Sequence, residues 1–367
     1  MNYWVAGTLC FLHLLRICSG LSQRHELTKM ILDTDFTTIN DDGQVLVMAA
    51  QLHAARKVNL LGVTVPSGNA WRVQEVSNCL KGVERLGIEH RIGVYEGANE
   101  PFLHTYETFL YEKEIWGDQT QYVGAYTAPP LKPVQVTPPP DGFATHTKPK
   151  KQSAVDFIIK TVHKYPYQVS IVAIGPLTNI ALALRLDPTI EPLIKEIVIM
   201  GGQIETPGNS FHGAGEFNWW FDPESVQVVL RANISRVIVP LDVTTTVPML
   251  KSVYEQIANH TPSTVITKLY AADYWNSVTG HAFDQIAMAV FYNSTLVTNS
   301  TILYVDINAC LDDQNYSKSI FYTDSNVPNS VLNTYKKSEV VFGIDNDAFY
   351  ALYVDLMTRN VPVSSGA

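Results

Sequence analysis

Four aspartates lie within ten positions near the start of the chain, between two apolar runs. The stretch at 30–50 reads MILDTDFTTINDDGQVLVMAA, and its acids are Asp33, Asp35, Asp41 and Asp42. The first apolar run is typical of a short buried strand and the second of a helix. Carboxylates crowded at the end of a strand repel one another and lose solvation. A positive group is therefore expected beside them, unless the stretch is only an acidic surface loop.

Strand-like and helix-like segments alternate along the chain, as in proteins whose parallel sheet is covered by helices. Strands are predicted at 30–32, 58–66, 90–97, 167–175, 196–202 and 236–243, and helices at 73–87, 153–165 and 176–186. A last strand and helix are predicted within 338–357. The predicted fold class is α/β, with an open, mostly parallel, Rossmann-like sheet and helices on both faces.

Polar residues follow several of these predicted strands. They are Ser67, Gly68 and Asn69 after the second strand, then Gly175, Thr178 and Asn179, then Gly201 and Gly202. In open α/β sheets the ligand lies outside the carboxyl ends of the strands. We therefore expect these residues and the acids to meet in one crevice.

The composition fits an ordinary globular enzyme or binding protein. The chain has 367 residues, of which 46% are apolar and 17% charged, and its net charge is −9. That charge argues against nucleic acid or an anionic membrane as the main partner. The Pro- and Lys-rich stretch at 127–152 lacks any period, and we interpret it as a surface excursion from one domain rather than a linker.

The first 20 residues have the features of a secretory signal peptide. Residues 3–17 are mostly apolar, and CSG at 18–20 offers small residues for cleavage. A buried N-terminal helix or a membrane anchor is the alternative. We predict removal of 1–20, a mature domain at 21–367, a secreted protein and no membrane association after cleavage.

Two further features of the sequence fit a secretory route. Sequons for N-glycosylation occur at Asn233, Asn259, Asn293, Asn299 and Asn315. The mature chain would keep two cysteines, Cys79 and Cys310, which allows one disulfide at most.

The acidic stretch is compatible with the haloacid dehalogenase-type phosphatases. Asp33, Asp35 and Thr37 match their D-x-D-x-T signature, with the first Asp as nucleophile and the second as general acid and base. That fold also requires a downstream Lys and a paired acidic motif after a strand. The pair Asp312-Asp313 does not follow a suitable strand, and Asp41-Asp42 would have no role.

The chain as a whole resembles the inosine-uridine-type nucleoside hydrolases. Seven motifs of that family occur in order: the acids at 33–42, GN at 68–69, GPLTN at 175–179, MGG at 200–202, GNSFHGAGEFNWWFDPES at 208–225, PLDVT at 240–244 and FDQIAMA at 283–289. They extend from about residue 29 to about 355, nearly the whole predicted mature chain. A single motif would be weak evidence, but seven in order are strong.

The resemblance implies a Ca²⁺ site at the floor of the crevice. By motif its ligands would be Asp35, Asp42, Asp284 and the main-chain carbonyl of Ile174, and oxygen ligands suit this ion. The cation would neutralise the acids and lower the pKa of a water, which Asp35 could then deprotonate. This is the positive group that the acidic stretch requires.

The resemblance also implies hydrolysis of the N-glycosidic bond of nucleosides, through a transition state with positive charge on the ribose. Residues at positions that hold the ribose in the family are Asp41, Asn69, Met200, Asn209, Glu216 and Asn218. Members of the family are usually dimers or tetramers, so a homodimer or homotetramer is expected. The competing interpretation is a secreted binding protein that keeps the ribose pocket but has lost turnover.

Two departures from the family pattern affect this prediction. Residues 36–40 form a loop two residues longer than the short form, and Thr37 replaces a glycine. Phe283 stands where broad-specificity members have a His that protonates the leaving base, although His281 is close in sequence. Purine-preferring members instead stack the base on aromatic residues, and the candidates here are Trp71, Trp219, Trp220, Trp275 and Phe283.

Overall fold

The computed structural model describes residues 27–117, 121–272 and 280–360. The predicted signal peptide and Trp275 therefore lie outside the described residues. The strands are β1 (Thr28–Asp33), β2 (Val58–Val65), β3 (Gly93–Glu96), β4 (Val169–Ala173), β5 (Glu196–Met200), β6 (Arg236–Val239), β7 (Val297–Ile307), β8 (Ser319–Tyr322) and β9 (Lys336–Ile344). They form one sheet in the order β3-β2-β1-β4-β5-β6-β9-β7-β8.

The predicted open, mostly parallel sheet is confirmed. Neighbouring strands from β3 to β9 are parallel, whereas β7 pairs antiparallel with both β8 and β9. The sequence analysis did not predict β7 and β8. The first half of β7 is exposed and reads VTNST, so it lacks the apolar run that marked the other strands.

Helices cover both faces of this sheet. They are α1 (Asp41–Ala54), α2 (Arg72–Arg85), α3 (Tyr106–Trp116), α4 (Ala154–Lys164), α5 (Thr178–Leu186), α6 (Phe217–Phe221), α7 (Pro223–Arg231), α8 (Leu241–Thr244), α9 (Lys251–Ala258), α10 (Val265–Ala272), α11 (Asp284–Tyr292) and α12 (Asn346–Thr358). Met30 and Leu32 pack into the core on one face and Ile31 into the core on the other. This alternation follows from the two-residue period of a strand.

The helix after β1 begins earlier than the apolar run indicated. Its first residue is Asp41 rather than Val45, so Asp41 and Asp42 occupy its first turn. Free backbone N–H groups and the helix dipole favour negative charge at that end. The fold therefore offsets part of the repulsion between these acids by placing them at a helix N-terminus.

The Pro-rich excursion at 127–152 runs along α2. Glu84 accepts hydrogen bonds from the backbone N–H groups of Thr145 and Thr147, and Arg85 pairs with Asp141. None of its described residues lines the cavity discussed below.

Cys79 and Cys310 are not joined by a disulfide bond. Cys79 lies on the buried face of α2 and packs in the core, and Cys310 is exposed. Of the helices in the described ranges, none combines the length and the apolar character that a membrane crossing requires.

Candidate active site

A cavity of about 120 Å³ opens at the carboxyl ends of the central strands. The described residues that line it are Asp41, Asn69, Tyr122, Ile174, Met200, Asn209, Glu216, Phe217, Asn218, Phe283 and Asp284. Nine of these were site candidates from the sequence. The other two candidates, Asp35 and Asp42, are buried against Asn69 at the base of the cavity. The structure thus brings residues from five of the seven sequence motifs, together with Ile174, into one place.

Two lining residues were missed by the sequence analysis. Phe217 lies inside the matched stretch 208–225, whose predicted stacking residues were Trp219 and Trp220 instead. Tyr122 belongs to no motif and follows β3 by more than 25 residues, so no sequence signal connects it with the acids.

Asp35 is held on one side and unpartnered on the other. Its Oδ2 accepts the backbone N–H of Asn69 at 2.9 Å, whereas no described group bonds its buried Oδ1. A Cβ on Gly68 would lie 2.2 Å from Oδ2 and one on Gly175 would lie 2.6 Å from Oδ1, so both glycines let the backbone close around this carboxyl group. Burial, with smaller contributions from the charges of Asp41 and Glu216, raises the pKa of Asp35 to about 8.

Asp41, Asp42 and Asp284 form the tightest acidic cluster. Each offers a carboxylate oxygen within 4.8 Å of the other two. Burial, followed by the charges of Asp35 and Asp41, raises the pKa of Asp42 well above its usual range. Burial likewise raises the pKa of Asp284, with further contributions from the other three aspartates. These mutually close oxygens, together with the orphaned Oδ1 of Asp35, fit a hard divalent cation.

The cluster differs in one respect from the predicted ligand set. Asp41, which was assigned to ribose, lies within it, whereas Asp35 acts on it through its charge. The carbonyl of Ile174 is nearby but accepts the side-chain N–H of Asn218 at 3.3 Å. A carbonyl oxygen has a second lone pair, so this contact leaves room for another partner.

The short helix α6 carries the opposite wall of the cavity. Glu216 caps it and accepts the backbone N–H groups of Asn218, Trp219 and Gly202 at 2.9–3.1 Å. Despite these bonds, burial raises the pKa of Glu216 to about 7. Asn218 points its amide at the carbonyl oxygen and sulfur of Met200, each at 3.4 Å. Glu216 and Asn218 are therefore fixed by the helix start itself.

Asn209 and Asn69 enter from two loops. The side-chain oxygen of Asn209 accepts the backbone N–H of Phe217 at 2.8 Å. The Asn69 amide donates to Oδ2 of Asp42 at 3.0 Å and to the carbonyl of Asp35 at 3.1 Å. Asn69 is therefore positioned by residues 27 and 34 positions away in sequence, whereas Asn209 is held by a residue eight positions away.

Three of the proposed stacking residues are not at the cavity. Trp71, Trp219 and Trp220 are at most 2% exposed. The indole N–H of Trp71 donates to the carbonyl of Ala128, and that of Trp220 donates to Glu112. They are core residues, and this part of the sequence interpretation was wrong.

The aromatic members of the described lining residues are Tyr122, Phe217 and Phe283. The rings of Tyr122 and Phe217 are 4.9 Å apart. The ring of His281 lies 5.9 Å from that of Phe283.

The geometry disfavours the phosphatase interpretation. Asp33, which would be the nucleophile, is fully buried, and its Oδ2 accepts hydrogen bonds from Thr64 and Asn179. Among the described lining residues there is neither Lys nor Arg to receive a phosphate. The second carboxylate of the D-x-D motif, Asp35, faces an acidic cavity instead.

Comparison with known proteins agrees with this geometry. A pyrimidine-specific ribonucleoside hydrolase, RihB of Escherichia coli O9:H4 (strain HS), is 34% identical over 219 residues, which are 60% of this chain and 61% of that protein. An uncharacterized protein of Schizosaccharomyces pombe is 36% identical over 217 residues, 59% of this chain and 62% of the other. The matched region thus spans less than two thirds of these relatives.

Solved structures show the same fold. The plant nucleoside hydrolase PpNRh1 superposes with a TM-score of 0.72 at 22% identity, over 90% of this chain and 99% of the other. The purine-preferring ribonucleoside hydrolase from Gardnerella vaginalis gives 0.67 at 24%, over 90% and 98%. The sequence model of the inosine-uridine preferring nucleoside hydrolases matches residues 30–351. The chain belongs to the inosine-uridine preferring nucleoside hydrolase family.

Proposed function

We propose that this protein hydrolyses the N-glycosidic bond of ribonucleosides and releases free base and ribose. The observation that carries the proposal is the cavity itself. It joins an acidic floor to walls of carboxyl and amide groups at the carboxyl ends of the central strands. Such a cavity favours a sugar that gains positive charge in the transition state over its neutral ground state.

The proposed cofactor is Ca²⁺. Asp35, Asp42, Asp284 and the carbonyl of Ile174 are the proposed ligands, with Asp41 beside them. When bound, the ion would neutralise the acids and acidify a water. The support for it is chemical: every candidate ligand atom is oxygen, and the buried carboxylates otherwise repel one another.

Asp35 is the proposed general base. One of its oxygens is fixed by the N–H of Asn69, and the other is buried without a described partner. A carboxylate arranged in this way can accept a proton without losing its orientation. The cation would favour its ionised form, which counteracts the upward shift that burial causes.

The remaining polar lining residues are proposed to bind the ribose hydroxyls. They are Asp41, Asn69, Asn209, Glu216 and Asn218, with Met200 packing against the sugar. Carboxylates accept hydrogen bonds from hydroxyls, and amides both donate and accept. Several such contacts would hold the sugar so that one face meets the acids.

A reducing-sugar assay tests this function directly. Inosine, guanosine, adenosine and uridine are each incubated with the full chain, with and without a calcium chelator. Release of ribose that the chelator abolishes is the expected result. Nucleoside binding without ribose release would support a binding protein, and phosphate release from a phosphomonoester would support a phosphatase.

We further propose that purine nucleosides are preferred. Three of the described lining residues are aromatic, and Phe283 occupies the position at which a base-protonating His was expected. Aromatic rings can stack on the flat purine and stabilise it in the closed cavity. The similar proteins have opposite preferences by name, since RihB is pyrimidine-specific and the Gardnerella enzyme is purine-preferring, so the substrate must be tested on this chain.

Replacing Phe283 with Ala is expected to lower kcat/KM for inosine by about 3- to 10-fold, the size of one aromatic contact. The affinity for Ca²⁺ should stay unchanged because the side chain carries no ligand atom. Phe143→Ala, in the exposed part of the excursion, is the matched control. Equal activity of Phe283→Ala and wild type on all four nucleosides would contradict a role for this ring.

The proposed location of the protein is extracellular. Its proposed oligomeric state is a homodimer or homotetramer. Asn233, Asn259 and Asn299 are exposed sequons, whereas Asn293 and Asn315 are partly buried. Expression in a secretory host is expected to yield a chain that begins near Leu21 and carries N-glycans. Intact mass after glycan removal checks this, and a secreted product that still contains residues 1–20 would contradict it.

A further inference from the structure

Asn69 is fixed by contacts on both ends of its amide. Its Nδ2 donates to Asp42 and to the carbonyl of Asp35, as described above. Its Oδ1 accepts the hydroxyl of Tyr122 at 2.8 Å. The amide could otherwise rotate by 180°, which would point its oxygen at the carboxylate of Asp42 and create repulsion. The tyrosine hydroxyl, as a donor, selects the orientation that points N–H groups at the acids.

Tyr122 is held in place by backbone contacts rather than by its own helix or strand. The N–H of Ala125 donates to the carbonyl of Gly68 at 2.9 Å, so the turn after Tyr122 sits on the turn that carries Asn69. Gly124 has φ of +52°, and a Cβ there would lie 2.4 Å from the Gly68 oxygen. Only glycine permits this approach. The Tyr122 ring packs on Phe217 across the cavity mouth.

The tyrosine has a half-exposed ring, but its hydroxyl points into the site. The residue is 54% exposed, yet its hydroxyl oxygen reaches Asn69 at the cavity wall. Burial and the charges of the nearby acids raise the pKa of Tyr122, so the hydroxyl keeps the proton that it donates. Because the hydroxyl of this partly exposed residue is hydrogen-bonded to Asn69, the residue does more than pack against its neighbours.

We infer that Tyr122 is a positioning residue that sets the orientation of the Asn69 amide and, through it, of the Asp42 carboxylate at the cation site. The inference rests on the proposed function, because Asp42 is a proposed ligand. Tyr122, in the segment after β3, would thus help to arrange the acidic floor of the cavity, although it is separated from Asn69 by 53 residues. Groups behind a ligand commonly control metal affinity by fixing that ligand.

The test uses Tyr122→Phe, which keeps the ring and removes the hydroxyl. Titration calorimetry of the chelator-treated full chain with calcium alone should show affinity about 3- to 10-fold weaker than wild type, the effect of one hydrogen bond. The unfolding temperature of the metal-free protein should change little. Tyr111→Phe, which removes an exposed hydroxyl near Asp312, is the matched control and should bind calcium as wild type does.

A double-mutant cycle decides whether Tyr122 acts through Asn69. In an Asn69→Ala background, Tyr122→Phe should have no further effect on calcium affinity, because the amide is gone. The inference would be overturned if Tyr122→Phe lowered calcium affinity as much in that background as in the wild type. It would also be overturned if Tyr122→Phe alone bound calcium as tightly as the wild type. Either result would leave the hydrolase proposal standing. Wild-type protein that binds no calcium would overturn the cation site and this inference together.

Discussion

Asp35→Asn is expected to lower kcat on inosine by at least about 10²- to 10⁴-fold at saturating calcium. That range is what the loss of a general base typically costs. The substitution keeps the shape of the side chain and its contact with the N–H of Asn69 but removes charge and basicity. At lower calcium concentrations weaker cation binding should add to the loss, because Asp35 is a proposed ligand and its charge adds to the negative potential at Asp42 and Asp284.

Asp156→Asn is the matched control for this substitution. Asp156 is an exposed acid in the first turn of α4, remote from the cavity lining, so its variant should hydrolyse inosine at the wild-type rate. Stopped assays at several calcium concentrations separate the loss of the base from the loss of the ion. Activity of Asp35→Asn within a few-fold of wild type would exclude the proposed mechanism.

Removal of calcium is expected to abolish activity and lower the unfolding temperature, and the drop should grow as the pH rises from 5 to 8. Binding to the folded state alone stabilises it by mass action. Without the ion, buried acids keep protons that they would release on unfolding. Burial raises the pKa of Asp35 to about 8 and the pKa values of Asp33 and Glu216 to about 7.

The sign of the pH effect follows from these shifts. Below about pH 4 each group is protonated in both states, so it makes no difference to stability. Between that pH and its raised pKa, the folded state holds more protons, and stability falls as pH rises. The metal-free protein should therefore melt at lower temperature at pH 8 than at pH 5, and calcium should offset most of that difference.

Differential scanning calorimetry with and without chelator at both pH values checks this expectation. Excess calcium should restore the unfolding temperature. Asp284→Asn should lose most of the calcium-dependent shift, whereas Asp347→Asn, an exposed acid at the start of α12, should retain it. An unfolding temperature that does not respond to chelator at pH 8 would contradict the cation site.

The sequence by itself determined the class of fold and most of the site. Apolar runs of strand length, separated by helix-like segments, identified β1, β2, β4, β5 and β6, because a strand buried on both faces must be apolar throughout. Polar residues after these strands were expected at one edge of the sheet, and the resemblance to the nucleoside hydrolases supplied the site candidates. Nine of the eleven site candidates line the cavity, and Asp35 and Asp42 lie at its base.

The sequence was less informative where local pattern and tertiary environment diverge. The strand β7 went unnoticed because half of it is exposed and polar, and its pairing with β9 is a contact between distant segments. The start of α1 was placed late because acids in a first helical turn resemble a loop in sequence. Three tryptophans looked available for stacking, but burial is decided by what packs around a residue.

Only the tertiary structure decided which groups touch at the floor of the cavity. Asp41 joins Asp42 and Asp284 in one cluster because α1 and α11 begin at the same edge of the sheet. Tyr122 reaches Asn69 because a glycine lets two turns approach each other. Contacts of this kind depend on the relative placement of segments far apart in the chain, which no local periodicity encodes. The crowded acids in the sequence indicated that a positive group must lie beside them. The fold determined how their carboxylates are arranged.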